Sequence, residues 1–287
     1  MVLLHHPKGI IDMKVTFLTS ILIASTLLFI SSSKVVIAQQ LNISQSINQA
    51  GLQRMLSQRM AKNYILLSQD IDAQAAAEEL DESSALFEEN LFQLNNSITN
   101  DESKLALKKL KNNWYAFRQF VLSEANKDQT AQVVDRSTLL LTSAHALVLS
   151  LEKDSRSHSD HLINISGRQR MLSQRLAMLY YASNSGVQEK VFQQEMHKTS
   201  RQFGQALTEL ISAKENNDEI DEALQEVNNQ WSFYKTKFNG VNKGRFSPKT
   251  IKVVSESLLK EMNSITSLYE VQSIAQTKYS TWIKPAN

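Results

Sequence analysis

The chain has 287 residues with only seven Gly, three Pro and no Cys, too little turn-forming residue for a β-rich protein, so the composition points to helices. At 42% hydrophobic and 21% charged residues it can bury a core, which excludes wholesale disorder and collagen-like structure, while the missing Cys excludes disulfides, thiolate metal sites and a Cys nucleophile. Taking away residues 1–38 removes three of 31 basic and one of 29 acidic residues and leaves the rest formally neutral, with no bulk electrostatic reason to bind nucleic acid or anionic lipid.

Residues 1–38 read as a secretory signal peptide. Lys14 precedes an apolar run from Val15 to Ile30, and Val36-Ile37-Ala38 precedes Gln39, which is the order of charge, short apolar core and small residue at a cleavage site. The run is short for a membrane span, which needs roughly 20 residues. The alternative is an uncleaved N-terminal anchor. Either way the remainder is expected outside the cytoplasm, periplasmic or secreted, with no further membrane span.

The rest is one unit used twice. Ile47-Asn48-Gln49-Ala50-Gly51-Leu52-Gln53-Arg54-Met55-Leu56-Ser57-Gln58-Arg59-Met60-Ala61 recurs, most positions identical, as Ile163-Asn164-Ile165-Ser166-Gly167-Arg168-Gln169-Arg170-Met171-Leu172-Ser173-Gln174-Arg175-Leu176-Ala177. Phe87, Leu91 and Leu94 find Phe203, Leu207 and Leu210 at the same spacing; Trp114 then matches Trp231, and Leu140 matches Leu258, with a drift that belongs in loops. The repeats are placed at 39–156 and 157–287.

Each repeat reads as four helices, predicted over 44–69, 72–97, 102–126 and 131–154, then 160–184, 187–215, 218–239 and 248–280. Apolar residues recur three and four apart, with Asn, Asp, Ser and Gly clustered between, and Ser247-Pro248 forms a helix start. The expected fold is all-α, two tandem antiparallel four-helix bundles arranged as an intramolecular pseudo-dimer. Residues 153–160 are polar and read as a turn rather than as a continuous helix, so that the two motif helices start at the same end and lie parallel.

On a helix, Leu52, Leu56, Met60 and Leu67 fall on one side, a core stripe, and Ile47, Gly51, Arg54, Gln58 and Ala61 fall on the other. The second copy repeats this with Gly167, Arg170 and Gln174. A mid-helix Gly costs roughly 1 kcal/mol relative to Ala, so its presence in both copies implies close approach of a backbone or a ligand. Facing motif helices bring Arg54 and Arg170 together, and a small planar oxyanion between them satisfies both. The alternative pairs these arginines with carboxylates such as Glu88 or Glu89. Arg59 and Arg175 project beside the core stripe and read as structural, and Arg168, standing where the first copy has Leu52, makes the two halves unequal and adds positive potential. His158 and His161 lie beside Asp154 and Asp160 with no third partner at metal-ligand spacing, and Met55, Met60, Met171 and Met178 read as core filler. There is no Gly-rich phosphate loop, HExxH or GxSxG, so neither an enzyme nor a cofactor is expected.

The two motif segments resemble the P-box of the periplasmic sensor region shared by NarX/NarQ-type nitrate sensor kinases and the N-terminal domain of PilJ-type chemotaxis transducers, more closely in the PilJ-like form. In the kinases the site lies between two parallel first helices of a homodimer, where Gly and Arg of each subunit surround one nitrate. The resemblance implies Gly51, Arg54, Gly167 and Arg170 as ligand-binding residues, with Gln58, Gln174, Arg59, Arg175 and Arg168 in support, and a dimer folded into one polypeptide. It implies binding of nitrate or nitrite and output through a membrane sensor, transducer or transporter, because the sequence carries no HAMP, kinase or methyl-accepting segment. The alternative function is a helical interaction module that docks on a PilJ-like transducer or cell-surface assembly and takes no small ligand. Arginines fully paired by acidic side chains favour the module; free arginines facing a small cavity favour the sensor.

Overall fold

The computed structural model describes residues 40–155, 157–239 and 247–282; the expected signal peptide lies outside them. Eight α-helices follow in chain order: α1 Ile43–Ser68, α2 Ala73–Ser97, α3 Asp101–Val121, α4 Thr130–Asp154, α5 His158–Ser183, α6 Glu189–Ile211, α7 Asp218–Asn239 and α8 Pro248–Trp282. The first four and the last four form the two expected bundles. There is no strand among the described residues, and no helix there is long and apolar enough to cross a membrane.

Local chemistry sets the helix ends. Asn42 and Gln45 form a capping box at the start of α1, and Asn100 accepts the Ser103 amide at the start of α3, whose first turn carries Asp101 and Glu102 against the helix dipole. The α1–α2 and α5–α6 turns repeat each other residue by residue: Asp70 and Asp72 have positive φ in the first, Gly186 and Gln188 in the second. Two helices stop short of their predicted ends. α3 ends at Val121, where a bend leads to a 3-10 turn at Lys127–Gln129 capped by Asn126; α6 ends at Ile211, and Asn216 folds back to donate to the Leu210 carbonyl at 3.0 Å.

α4 ends at Asp154, Ser155 is extended, and α5 begins at His158. The break lets α5 run parallel to α1. Asp160, in the first turn of α5 and 1% exposed, accepts the Ser155 and Ser273 hydroxyls.

The division of α1 into a core face and an opposite face needs correction. In α1 18 of 26 residues are buried and in α5 22 of 26, because α1 is enclosed by α2, α4 and α5, and α5 by α1, α6 and α8. Leu52 and Leu67, assigned to the stripe, are only partly buried. These two helices are central columns rich in Gln, Ser and Arg, so their polar groups must find partners inside. Gln53 Nε2 donates to the Phe87 carbonyl at 3.0 Å and Gln169 Nε2 to the Phe203 carbonyl at 2.9 Å. Outside each column stands an aromatic pair, Phe87 stacked on Trp114 at 4.2 Å and Phe203 tilted against Trp231 at 4.4 Å between ring centroids. All four methionines named above are buried.

Candidate functional site

The parallel packing of α1 on α5 sets each motif residue beside its own repeat. Arg54 reaches across to α5: Nη1 donates to Asn164 Oδ1 at 2.7 Å and Nη2 to the Asn164 carbonyl at 3.0 Å. Arg170 makes the mirror reach to α1, its Nη2 donating to Asn48 Oδ1 at 2.7 Å and to the Asn48 carbonyl at 3.3 Å. The remaining Nη1 contacts are pseudo-symmetric in place but not in kind: Arg54 meets His145 Nδ1 at 3.4 Å, Arg170 meets Asn263 Oδ1 at 2.9 Å.

Each asparagine passes the contact outward. Asn164 Nδ2 donates to Glu152 of α4, and Asn48 Nδ2 to Glu270 of α8. Charge compensation is therefore one side chain removed, and neither guanidinium touches a carboxylate among the described residues. Glu88 instead pairs with Arg118 at 2.8 Å, and Glu89 accepts Gln93. The arginines are thus neither paired by acids nor free, since neutral amide and carbonyl oxygens hold them.

Both guanidinium groups are 1% exposed, and Nε of each has no hydrogen-bond partner. Burial, then the charges of Arg170 and Arg168, pulls Arg54 down to about 9, against a smaller opposing effect of Glu152. Burial likewise lowers Arg170 to about 10, opposed by Glu270. Both stay cationic at neutral pH. Burial and the Arg54 and Arg168 charges hold His145 below the ordinary imidazole value, which favours a neutral ring able to accept at Nδ1.

The two glycines make room for this crossing. A Cβ on Gly167 would stand 3.0 Å from Arg170 Nη2 and 3.4 Å from Arg54 Nη2; one on Gly51 would stand 3.2 Å from Arg54 Nη2 and 3.4 Å from Arg170 Nη2. Gly51, Arg54, Gly167 and Arg170 therefore come together at the crossing.

The supporting residues divide. Gln58 and Gln174 are fully buried and tie the columns to their own bundles, Gln58 Nε2 donating to the Ser137 carbonyl at 3.2 Å and Gln174 Nε2 to Glu256 at 3.2 Å. Arg59 lies between Glu79 at 3.4 Å and Glu256 at 3.2 Å, and the buried Lys62 bridges the same two carboxylates at 3.2 and 2.8 Å. Arg175 has one carboxylate, Glu195 at 3.5 Å, with Gln58 Oε1 at 2.9 Å and Thr138 Oγ1 at 3.3 Å. Arg168 lines the cleft beside Arg54. His161 contacts Glu152 and Glu209, and His158 contacts Glu215; no group of three or more His, Asp or Glu among the described residues is placed to hold a metal.

Glu256 gives an acid-dependence with a definite sign. Burial pushes its carboxyl up, but the Lys62 and Arg59 charges and the Lys62 and Gln174 hydrogen bonds outweigh it and hold the group below its ordinary 4.5. A carboxyl lowered on folding contributes stability above its unfolded value and loses it as the pH falls through the folded one. Glu256→Gln is accordingly expected to lower the thermal midpoint at pH 7 and to converge on the wild type as the pH falls through the lowered folded value; a constant difference across the titration would assign the loss to packing.

Sequence reasoning missed Asn48, Asn164, Glu152, Glu270, His145 and Asn263. The two asparagines were visible as identities inside the repeated motif, and the glutamates share the 118-residue spacing of Leu140 and Leu258. What hid the asparagines and glutamates is that each acts on the other repeat's helix, and His145 and Asn263 act from another helix of the same repeat; periodicity within one helix shows neither.

A family model described as type IV pili methyl-accepting chemotaxis transducer N-term, PilJ, matches residues 35–138 and again residues 154–254. No curated protein and no solved structure matches the chain. The two matched segments correspond to the two bundles and each contains one Gly/Arg motif helix, so the chain belongs to the PilJ family and carries its domain twice.

Proposed function

We propose that this protein is an extracytoplasmic sensor of the PilJ type, exported by residues 1–38, which captures a small oxyanion, nitrate or nitrite first, at the P-box crossing of α1 and α5 and signals through a separate membrane sensor, transducer or transporter. The observation that carries the reading is the pair of buried guanidinium groups, Arg54 and Arg170, touched by no carboxylate among the described residues and each with an unpartnered Nε. Such a pair favours an added negative charge. An anion that took the two arginines from Asn164 and Asn48 would break the contacts they make across α1 and α5 and favour a different placement of the two helices, a population shift that a partner can read. The docking alternative needs the same arginines at the surface, and both are buried.

Thermal unfolding of the purified protein in nitrate, nitrite, sulfate and chloride at matched ionic strength tests this. Ligand at about 100 times its dissociation constant adds ~2.7 kcal/mol, so a rise in midpoint confined to nitrate or nitrite is expected. An equal response to all four anions would refute the oxyanion reading.

A further inference from the structure

Beside the crossing, α4 of the first repeat and α5 and α6 of the second enclose a cleft of about 230 Å³. Four cations line it, Arg54, Arg168, Arg175 and Lys198, together with His145, against a single carboxylate, Glu195. Glu195 is shared by Arg175 at 3.5 Å and Lys198 at 3.6 Å, and Arg168 makes no ion pair or hydrogen bond among the described residues. The chain beyond residue 38 is neutral, so this is a local excess of positive charge.

The repeat supplies an internal control. At the corresponding place in the other half, Glu256 stands for Thr138, Glu82 for Lys198 and Leu52 for Arg168, while Arg59 and Glu79 match Arg175 and Glu195. There Arg59 and Lys62 are both bridged to Glu79 and Glu256, so that half is neutralised from within. Four substitutions, the fourth being Met178 in place of Lys62, turn the same architecture from a closed ion-pair network into a cationic cleft. Packing does not require the change, because the other half, built from α1 and α2 of the first repeat and α8 of the second, folds around the other set.

The charges are also spaced. Arg168 and Arg175 are seven residues apart on α5, two turns or roughly 10 Å along the axis, and Met171 and Leu172 lie between them in the cleft wall with Leu141 of α4. We propose that this cleft binds a short aliphatic dicarboxylate, one carboxylate on Arg168 and the other on Arg175 and Lys198, with the methylene segment over Met171 and Leu172. Guanidinium forks suit carboxylates at both ends, and the apolar middle rejects a fully polar anion. The cleft shares Arg54 with the α1–α5 crossing, but the proposed carboxylate contacts are at Arg168, Arg175 and Lys198 and do not depend on nitrate binding at the crossing.

Calorimetric titration of the purified protein with succinate, using butyrate and sulfate as controls, tests it. One saturable site is expected, with succinate bound roughly tenfold or more tighter than butyrate, since one charge-assisted contact is worth about that factor. Arg168→Leu and Thr138→Glu each install the residue that the other repeat has at the same register, Leu52 of the first and Glu256 of the second, so both are expected to fold, as circular dichroism will check, and each should weaken succinate at least roughly tenfold. Absence of succinate binding, equal affinity for butyrate, or unchanged affinity in both variants overturns the proposal. A nitrate titration of the same samples separates the two sites: nitrate binding without succinate binding removes only the cleft, and the reverse removes only the oxyanion reading.

Discussion

Replacing Arg54 and Arg170 together by methionine is expected to stabilise the fold, by about 1–4 kcal/mol, while abolishing any response to nitrate. Two effects oppose each other. Methionine removes two buried charges whose desolvation and mutual repulsion already lower Arg54 to about 9, and it forfeits the hydrogen bonds to Asn164 and Asn48. Removing one member of a buried ion pair normally costs ~3–5 kcal/mol because an opposite charge is stranded, but here the direct partners are neutral. Glu152 keeps Asn164 and His161 and is 19% exposed at its side chain, so it is not stranded. Because either single substitution relieves the same repulsion, the double variant should gain less than the sum of the two singles. Denaturant unfolding of the four proteins measures this. A loss above roughly 2 kcal/mol in the double variant would make the arginines structural struts and would remove the reason for assigning them to a ligand.

Trp114→Ala is expected to cost ~3–5 kcal/mol. Trp114 is fully buried, stacks on Phe87 at 4.2 Å and leaves its indole nitrogen without a partner, so the loss is one of packing and cavity, with no hydrogen bond to forfeit. Urea unfolding reads more than the size of the effect. Since α1 and α5 are each walled by the other, damage to the first bundle removes support from the second, and one transition displaced to lower urea is expected. Two separated transitions would mean that the bundles unfold independently.

Most of the fold could be read from the repeat. Once Gly51-x-x-Arg54 and Gly167-x-x-Arg170 are aligned, eight helices, their order and the parallel setting of α1 and α5 follow, and Ser247-Pro248 places the start of α8 to the residue. Periodicity failed on the same two helices. It sorted Leu52 and Leu67 into the core stripe, where they are only partly buried, since a one-helix projection divides a helix into two faces, whereas α1 and α5 have protein on nearly every side. The ends of α3 and α6 were misplaced for a local reason: Leu122 to Ala125 and Ala213 to Asn216 have helix-compatible residues, and the turn is enforced by side chains such as Asn216 folding onto α6. At the candidate site the four Gly/Arg positions were legible because both copies have them. The partners on α4 and α8 were not, since Glu152 and Glu270 look like any half-buried acid until a neighbouring repeat presents its asparagine.

The exchange of Thr138 for Glu256 and of Arg168 for Leu52 also bears on what a fused pair can do that two identical subunits cannot. In a symmetric homodimer every substitution is made twice, so a change that opens one flank opens both, and a strut cannot be lost on one side alone. Joining the copies removes that constraint. One flank of this chain retains the Arg59, Lys62, Glu79 and Glu256 brace, and the other is free to diverge without the pair falling apart. Duplication here separates the two demands that a symmetric interface must satisfy with the same residues, holding the helices together and leaving a surface on which selection can act.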